Sequence, residues 1–494
     1  MTEILKKNNE IKLVEILFYI FPLTFIIGNV ALTVNLLLFI ITSLFLIKKN
    51  QLTFRFQNSY WILIIFFSYL FLLTTIEFQE VFKIYYESLE GYGYDINKPT
   101  SPSIKNHPIL KSFLLFRFVI LIFIIDTLFF HKILNLKKIL FSSFLCTSFV
   151  SVDVIIQYIV GFDLFGFKSM GGRNPGPFGN EIIAGGYLLK FSFLSFFFIF
   201  DFFKNKNFCK PLTIFVITVH AIAMGLAGNR MPFILFLLGC FLIILLVKNL
   251  RLVTSFGLIG FISLFFVITK NNESIHDQYL RYFQEINSFA IKSGYKIIDT
   301  TKRNLSKSET SSENELNKVG NKVENIINYA LNHKAGGNLD SGHKGIWRSS
   351  IQIWKEQPWF GFGLKSFRYK CRGIESRAGN SNIITSIETI DHAHSFDCSN
   401  HSHNYYLEFL AETGIVGTSL IVVFFIIILK DSFYYLRKYN KEINSKLILI
   451  LPISLVLFLE IWPVKSSGSF FSNWSGTGFW LIASLLFANK KEKI

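Results

Sequence analysis

Apolar stretches recur along almost the whole chain, each roughly 17 to 22 residues long, the length a helix needs to cross a hydrocarbon core of about 30 Å. They fall near residues 13–27, 30–47, 60–76, 112–130, 139–160, 182–202, 211–227, 232–247, 252–269, 413–429, 447–463 and 474–488. A soluble core has no place for so many of them, and a single anchor needs only one. The expected fold class is an all-α polytopic membrane protein of about twelve transmembrane helices. Composition agrees: 51% of the 494 residues are hydrophobic, 57 are Phe and the mean hydropathy is +0.42, beyond ordinary globular usage.

The formal charge of +17 raises the question of nucleic acid. The cations lie instead in short clusters between apolar runs, which is a topology signal. With a cytoplasmic N-terminus, the inside connections hold Lys48, Lys49 and Arg55, then Lys132, Lys137 and Lys138, then Lys204, Lys206 and Lys210, then Lys248 and Arg251, and finally Lys430 through Lys446. The short outside connections, including 161–181, 228–231 and 464–473, hold few. Both termini are therefore expected inside. The polar, basic start (Met1 to Lys12) leads directly into a full-length span, so no cleavable signal is expected.

Residues 270–412 break the pattern. They are long, polar and on the outer side, so a folded loop domain is expected between the ninth and tenth spans, dividing the chain into 1–269, 270–412 and 413–494. Within it, 302–325 reads as flexible or solvated helix. From Gly345 to Gln357 an amphipathic helix is expected, with Ile346, Trp347, Ser350, Ile351 and Trp354 on one face, stopped by Pro358. Cys146, Cys209 and Cys240 sit in or beside spans as apolar filler. Cys371 and Cys398 lie in the outer loop, where an oxidising compartment permits a disulfide closing about 28 residues.

The segment HSHNYYLEFLAETGIVG (401–417) is a histidine-bearing turn leading into a span, which holds His403 near the outer surface. A neutral imidazole there can take a proton from a hydroxyl, help worth about 10²- to 10⁴-fold. The alternative is a capping or packing histidine. His392, His394, His401 and His403, with Asp391, Asp397 and Cys398, also offer a zinc ligand set, although no HExxH or CxxC pair fixes its geometry. Arg173, Arg230, Arg281 and Arg348 are outer-face arginines able to clamp a diphosphate. Arg230 stands out because it breaks the positive-inside pattern, whereas Arg348 can equally snorkel. The run GGRNPGPFGN lacks a P-loop's Gly-Lys-Ser/Thr ending and reads as a turn-rich loop. Asp153, Lys190, His220 and Glu460 fall inside spans and are expected to face the bundle interior.

Three blocks, RNPGPFGNEIIAGGYL (173–188), AGNRMPFILF (227–236) and the pair GIWRSSIQIWKEQPWFGFGLKSF (345–367) with 401–417, resemble the O-antigen ligase and O-antigen polymerase superfamily. These are bacterial membrane glycosyltransferases of type C architecture, with about twelve spans and a large periplasmic loop before the last three. The resemblance implies an inner-membrane, metal-independent inverting enzyme without a cofactor, its active site periplasmic. It would move a glycan from undecaprenyl diphosphate to a hydroxyl of lipid A core or of a growing glycan. It also implies His403 as the base, Arg230 and Arg348 on the diphosphate, and Arg173 more weakly. His401, as a neighbour of the base, Asn404 and Arg281 complete the expected substrate-binding set. The insertion 271–340 and the residues 371–400 depart from the family pattern. The rival from another class is a lipid or polysaccharide transporter, suggested by Asp153 and Lys190; no internal inverted repeat supports it.

Overall fold

The computed structural model describes residues 9–90, 107–272, 275–277, 279, 343–371, 398–441 and 449–489. Two compact units are present, Met1–Ile268 with Gly345–Ile494, and Thr269–Lys344. The first carries nearly all described residues. Its described residues form helices and their connections, with isolated bridges at Phe162–Lys168 and Met170–Arg173.

Its helices are α1 (Asn9–Tyr19), α2 (Phe21–Ile27), α3 (Asn29–Lys49), α4 (Tyr60–Glu90), α5 (Pro108–Leu114), α6 (Phe116–Phe130), α7 (Leu136–Val160), α8 (Ala184–Phe202), α9 (Cys209–Leu226), α10 (Arg230–Leu246) and α11 (Lys248–Asn271). After the second unit come α12 (His343–Glu356), α13 (Tyr405–Lys441), α14 (Leu451–Glu460) and α15 (Asn473–Ala488). Among the described residues, eight helical segments are long and apolar enough to cross a membrane. The other four expected spans fall on helices that are broken or shorter than 18 residues. The expected span 13–27 is broken into α1 and α2 because Pro22 lacks an N–H and its ring opposes the carbonyl four residues back. The spans expected at 232–247, 447–463 and 474–488 are helices of 17, 10 and 16 residues. The last turn expected of α14 is replaced by the irregular segment 461–472, whose backbone is bonded to the histidine turn described below.

Ion pairs gather helix ends at one pole of the bundle. Lys49 meets Glu10 at 2.7 Å, Lys138 meets Glu15 at 2.8 Å and Lys137 meets Asp201 at 3.0 Å. Their lysines are about half exposed, so each pair contributes little. Asp126 differs: fully buried in α6, it accepts from Arg55 at 3.0 Å, Gln57 at 2.7 Å and Tyr60 at 2.6 Å, pinning the α3–α4 connection to α6. The same Gln57 donates to the carbonyl of Phe487, bringing the end of α15 to this pole.

At the other pole, Asn473 bonds Asn29 and Thr33, Asn229 bonds Gly185 and Ile182, and Asn174 bonds the carbonyl of Leu226. The candidate site is built here. Beneath it the many Phe residues interlock: Phe470 lies 5.0 Å from Phe409, 5.1 Å from Phe479 and 5.1 Å from Tyr405, ring centre to ring centre. In lipid, helix association rests on such close packing, since lipid tails are as apolar as the side chains; each aromatic pair adds about 0.5–1.5 kcal/mol.

Candidate active site

The site begins where α13 fails as a helix. Gly414, at φ +60°, interrupts it and leaves the N–H groups of Ile415 and Val416 without partners four residues back. A strap from α12 supplies them: Ile415 N–H donates to Pro358 O at 2.9 Å and Val416 N–H to Trp359 O at 3.1 Å. Gly363 N–H returns to Glu412 O at 2.8 Å, while Tyr69 donates to the carbonyls of Phe360 and Thr413. The strands of this crossing touch so closely that a Cβ on Gly414 would sit 2.4 Å from Trp359 O, and one on Gly361 2.5 Å from Gly414 N. Both glycines are also at positive φ, so any side chain there is refused twice.

The strap holds α12. Ile346 and Ile353 pack with Val81, Phe362, Phe367, Tyr369, Cys371 and Ala411 in one buried cluster. The buried face is thus Ile346, Ser349, Ser350 and Ile353, whereas Ile351 is exposed and Trp347 and Trp354 are half-buried. The face expected from sequence is rotated by about one residue, because Ser349 and Ser350 bury hydroxyls bonded to their own helix at Gly345 and Ile346.

Cys371 is joined by a disulfide to Cys398, 27 residues away in sequence. Cys371 is fully buried, so the bond ties the residues just before the histidine turn to a fixed point. Arg368 reaches the carbonyl of Asn400 alongside it. The intervening Asp391, His392, His394 and Asp397 lie outside the described residues, as does Arg281. Cys398 being in a disulfide removes its thiol from any zinc ligand set. Among the described residues no group of three or more His, Cys, Asp or Glu side chains is gathered in a metal-binding cluster.

His401 and His403 lie ring against ring, tilted by 36° with centres 4.1 Å apart. His403 adopts φ +53°, a left-handed conformation uncommon outside glycine and asparagine, and its carbonyl accepts from Ser467 N–H at 2.9 Å. Its Nε2 is 3.1 Å from the Ser399 hydroxyl, a contact that works with either tautomer, because a hydroxyl both donates and accepts.

Asn404 caps α13: its Oδ1 accepts from Tyr406 N–H at 3.0 Å and Leu407 N–H at 3.1 Å. Its amide nitrogen donates to Pro463 O at 2.8 Å and Lys465 O at 3.1 Å. Both amide hydrogens and the oxygen are therefore engaged, in a residue 7% exposed. These bonds fix the turn against the segment after α14.

That segment carries a buried charge network. Glu460 is bonded to both Lys190 and Lys465, and Tyr405 reaches it at 3.5 Å. Lys465 also lies 5.1 Å above the Tyr405 ring, and burial pulls its ammonium pKa down to about 8 against the pull of Glu460. Asp153 accepts from Leu164 N–H, and His220 lies 5.3 Å from the Phe196 ring. All four ionisable residues expected inside spans are buried, at 3% exposure or less.

Arg230 opens α10, directly after Asn229, whose side chain holds the start of α8. Arg348 is half-buried on α12. Arg173 is exposed and paired by backbone with Met170. In the same loop, Gly176 N–H donates to Gln157 and Asn174 is buried, so the glycine-rich run is braced on α7 and α9.

Sequence reasoning missed a second group of charges. Lys365, at φ +65°, stands with Lys111 within hydrogen-bonding reach and Arg368 close by, near the buried Glu412 and Glu408. Burial, then the neighbouring Lys111 and Arg368, lower the Lys365 pKa to about 7. The only signal was its place in FGFGLKSF, read there for its glycines; Lys111 is over 250 residues away.

No curated protein matches the chain. Residues 213–422 match the family described as O-antigen ligase, a segment that runs from α9 through the strap and the histidine turn into α13. Over that segment the chain is similar to the O-antigen ligase family.

Proposed function

We propose that this protein is an O-antigen ligase-like glycosyltransferase that moves a glycan from undecaprenyl diphosphate to a hydroxyl of lipid A core. The observation that carries the reading is the histidine turn: His403 is held by its carbonyl, by Ser399 and by the Asn404 cap, within the segment that matches the family. An acceptor hydroxyl gives its proton to the His403 imidazole as its oxygen attacks the anomeric carbon. The carbon–oxygen bond to the diphosphate breaks on the opposite face, and undecaprenyl diphosphate leaves with the electron pair. Attack opposite the leaving group inverts the anomeric centre. Arg230 and Arg348 hold the diphosphate and stabilise its growing charge, with no metal ion needed for that task; Arg173, Arg281 and His401 line the approach.

The lysines paired at the opposite pole support a cytoplasmic placement of that end and of both termini, in the inner membrane. The disulfide beside the turn supports a periplasmic active site. A polymerase that extends the glycan on its carrier uses the same groups, and the acceptor alone separates the two. A gel of lipopolysaccharide from a deletion strain decides: core without O-chain is the ligase result, a single repeat on core the polymerase result, and a normal ladder rejects both. In the same strain, His403→Asn keeps a side chain tolerant of positive φ and removes the base. Undiminished transfer by that variant would rule out His403 as the base.

A further inference from the structure

Resting on that reading, we propose that Lys111, Lys365 and Arg368 form a second anion subsite that holds a phosphate monoester on the acceptor, separate from the arginines that hold the donor diphosphate. Three cations from three places in the sequence, α5, the strap and the 366–371 turn of helix, converge on one spot. Like charges packed this closely repel one another, and burial adds to the cost. A structure that keeps them together has a use for an anion between them.

Two further observations point the same way. Glu412 is 3% exposed, its Oε2 has no hydrogen-bond partner among the described residues, and it lies close enough to Lys365 to act on its charge. Arg368 likewise has a buried Nε without a partner among the described residues, while its outer nitrogen reaches Asn400 O, the carbonyl next to His401. Glu408 is already satisfied by Phe470 N–H at 2.7 Å and does not compete. The guanidinium that touches the histidine turn is thus the one with a buried donor still to fill. An anion bound there lies beside the proposed base, on the side of α4 and α5.

The chemistry favours phosphate. Its three terminal oxygens give each cation one acceptor, a forked guanidinium takes two of them, and a carboxylate offers only two in all. Left-handed backbone at Lys365, fixed by Leu364 N–H on Thr74 and Gly363 N–H on Glu412, aims the lysine without flexible loop residues.

The test uses the full-length protein in lipid nanodiscs with its lipid-linked donor. The acceptors are lipid A core as isolated and the same core after phosphatase treatment. The wild type is expected to prefer the phosphorylated core in kcat/KM, and Lys365→Gln and Arg368→Gln to reduce that preference on the order of 10- to 100-fold, as befits a lost charge-assisted hydrogen bond. Lys365→Arg, which keeps the charge, is expected to retain the preference, and its KM for the donor is expected to match the wild type. Equal use of both cores by the wild type, an equal loss on both cores in the variants, or a loss confined to the KM for donor would each overturn the subsite. If the wild type transfers to neither core, the proposed ligase reading fails first. Direct binding of the two cores to wild type and Lys365→Gln then judges the subsite alone, and equal affinities would reject it.

Discussion

Asn404 joins two parts of the site through four hydrogen bonds, and dividing them gives a graded prediction. Asn404→Ser keeps a good N-cap but loses both amide donors. The Pro463 carbonyl is near solvent and can take water, whereas the Lys465 carbonyl is buried and loses its donor, at about 1–3 kcal/mol. Asn404→Ala loses the cap as well, another 0.5–2 kcal/mol or so. Asn404→Asp keeps the cap and points a carboxylate at two carbonyls in a nearly closed space, so it is the most damaging of the three. Thermal unfolding in detergent, followed by a thiol-reactive dye, reads the order directly, because Cys209 and Cys240 are buried until the bundle opens. The midpoints are expected to fall in the sequence wild type, Ser, Ala, Asp. Because the same bonds steady the segment whose Ser467 N–H holds the His403 carbonyl, kcat should fall with them while KM for both substrates stays put. A Ser variant with the wild-type midpoint and kcat, or one whose KM alone changed, would show that the anchoring role is wrong.

Reducing the Cys371–Cys398 bond, or replacing both with Ala, releases a loop of about 28 residues and should cost roughly 3–4 kcal/mol in the chain-entropy model; an unchanged midpoint under reductant would contradict it. Lys190→Met leaves Glu460 still paired with Lys465 and costs the less, whereas Glu460→Gln strands both Lys190 and Lys465, at about 3–5 kcal/mol. Fluorescence-detected size exclusion should rank the variants in that order. Lys365 has a folded pKa near 7 against about 10.4 unfolded. Between those values the unfolded chain holds a proton that the folded chain has released, so stability rises with pH across that window. The midpoint of wild type relative to Lys365→Met should therefore climb from pH 7 to 10; a flat difference would mean that Lys111, Arg368 and Glu412 leave this ammonium undisturbed.

Local signals sufficed for part of this protein. Apolar length identified membrane helices, lysine clusters marked one pole, and HSHN at 401–404 marked the turn that opens α13, because each is written in consecutive residues. The cysteine pair was legible for a simpler reason: Cys371 and Cys398 are the two that lie in the long polar loop. What depended on distant contacts was not legible. A helix such as α6, apolar on every side, gives no period to tell a lipid face from a protein face, so only packing shows that Asp126 points inward at Arg55 and Tyr60. Pro22 broke a span, and α14 stopped early because residues 461–472 found better bonds with the histidine turn than with a further helical turn. That Asn404 also braces the turn was not legible, since the carbonyls it meets are about 60 residues away. Lys111, Lys365 and Arg368 carry no motif at all. Only the crossing of the strap over Gly414 and against α4 and α5 brings them together, and backbone hydrogen bonds between segments remote in sequence fix that crossing.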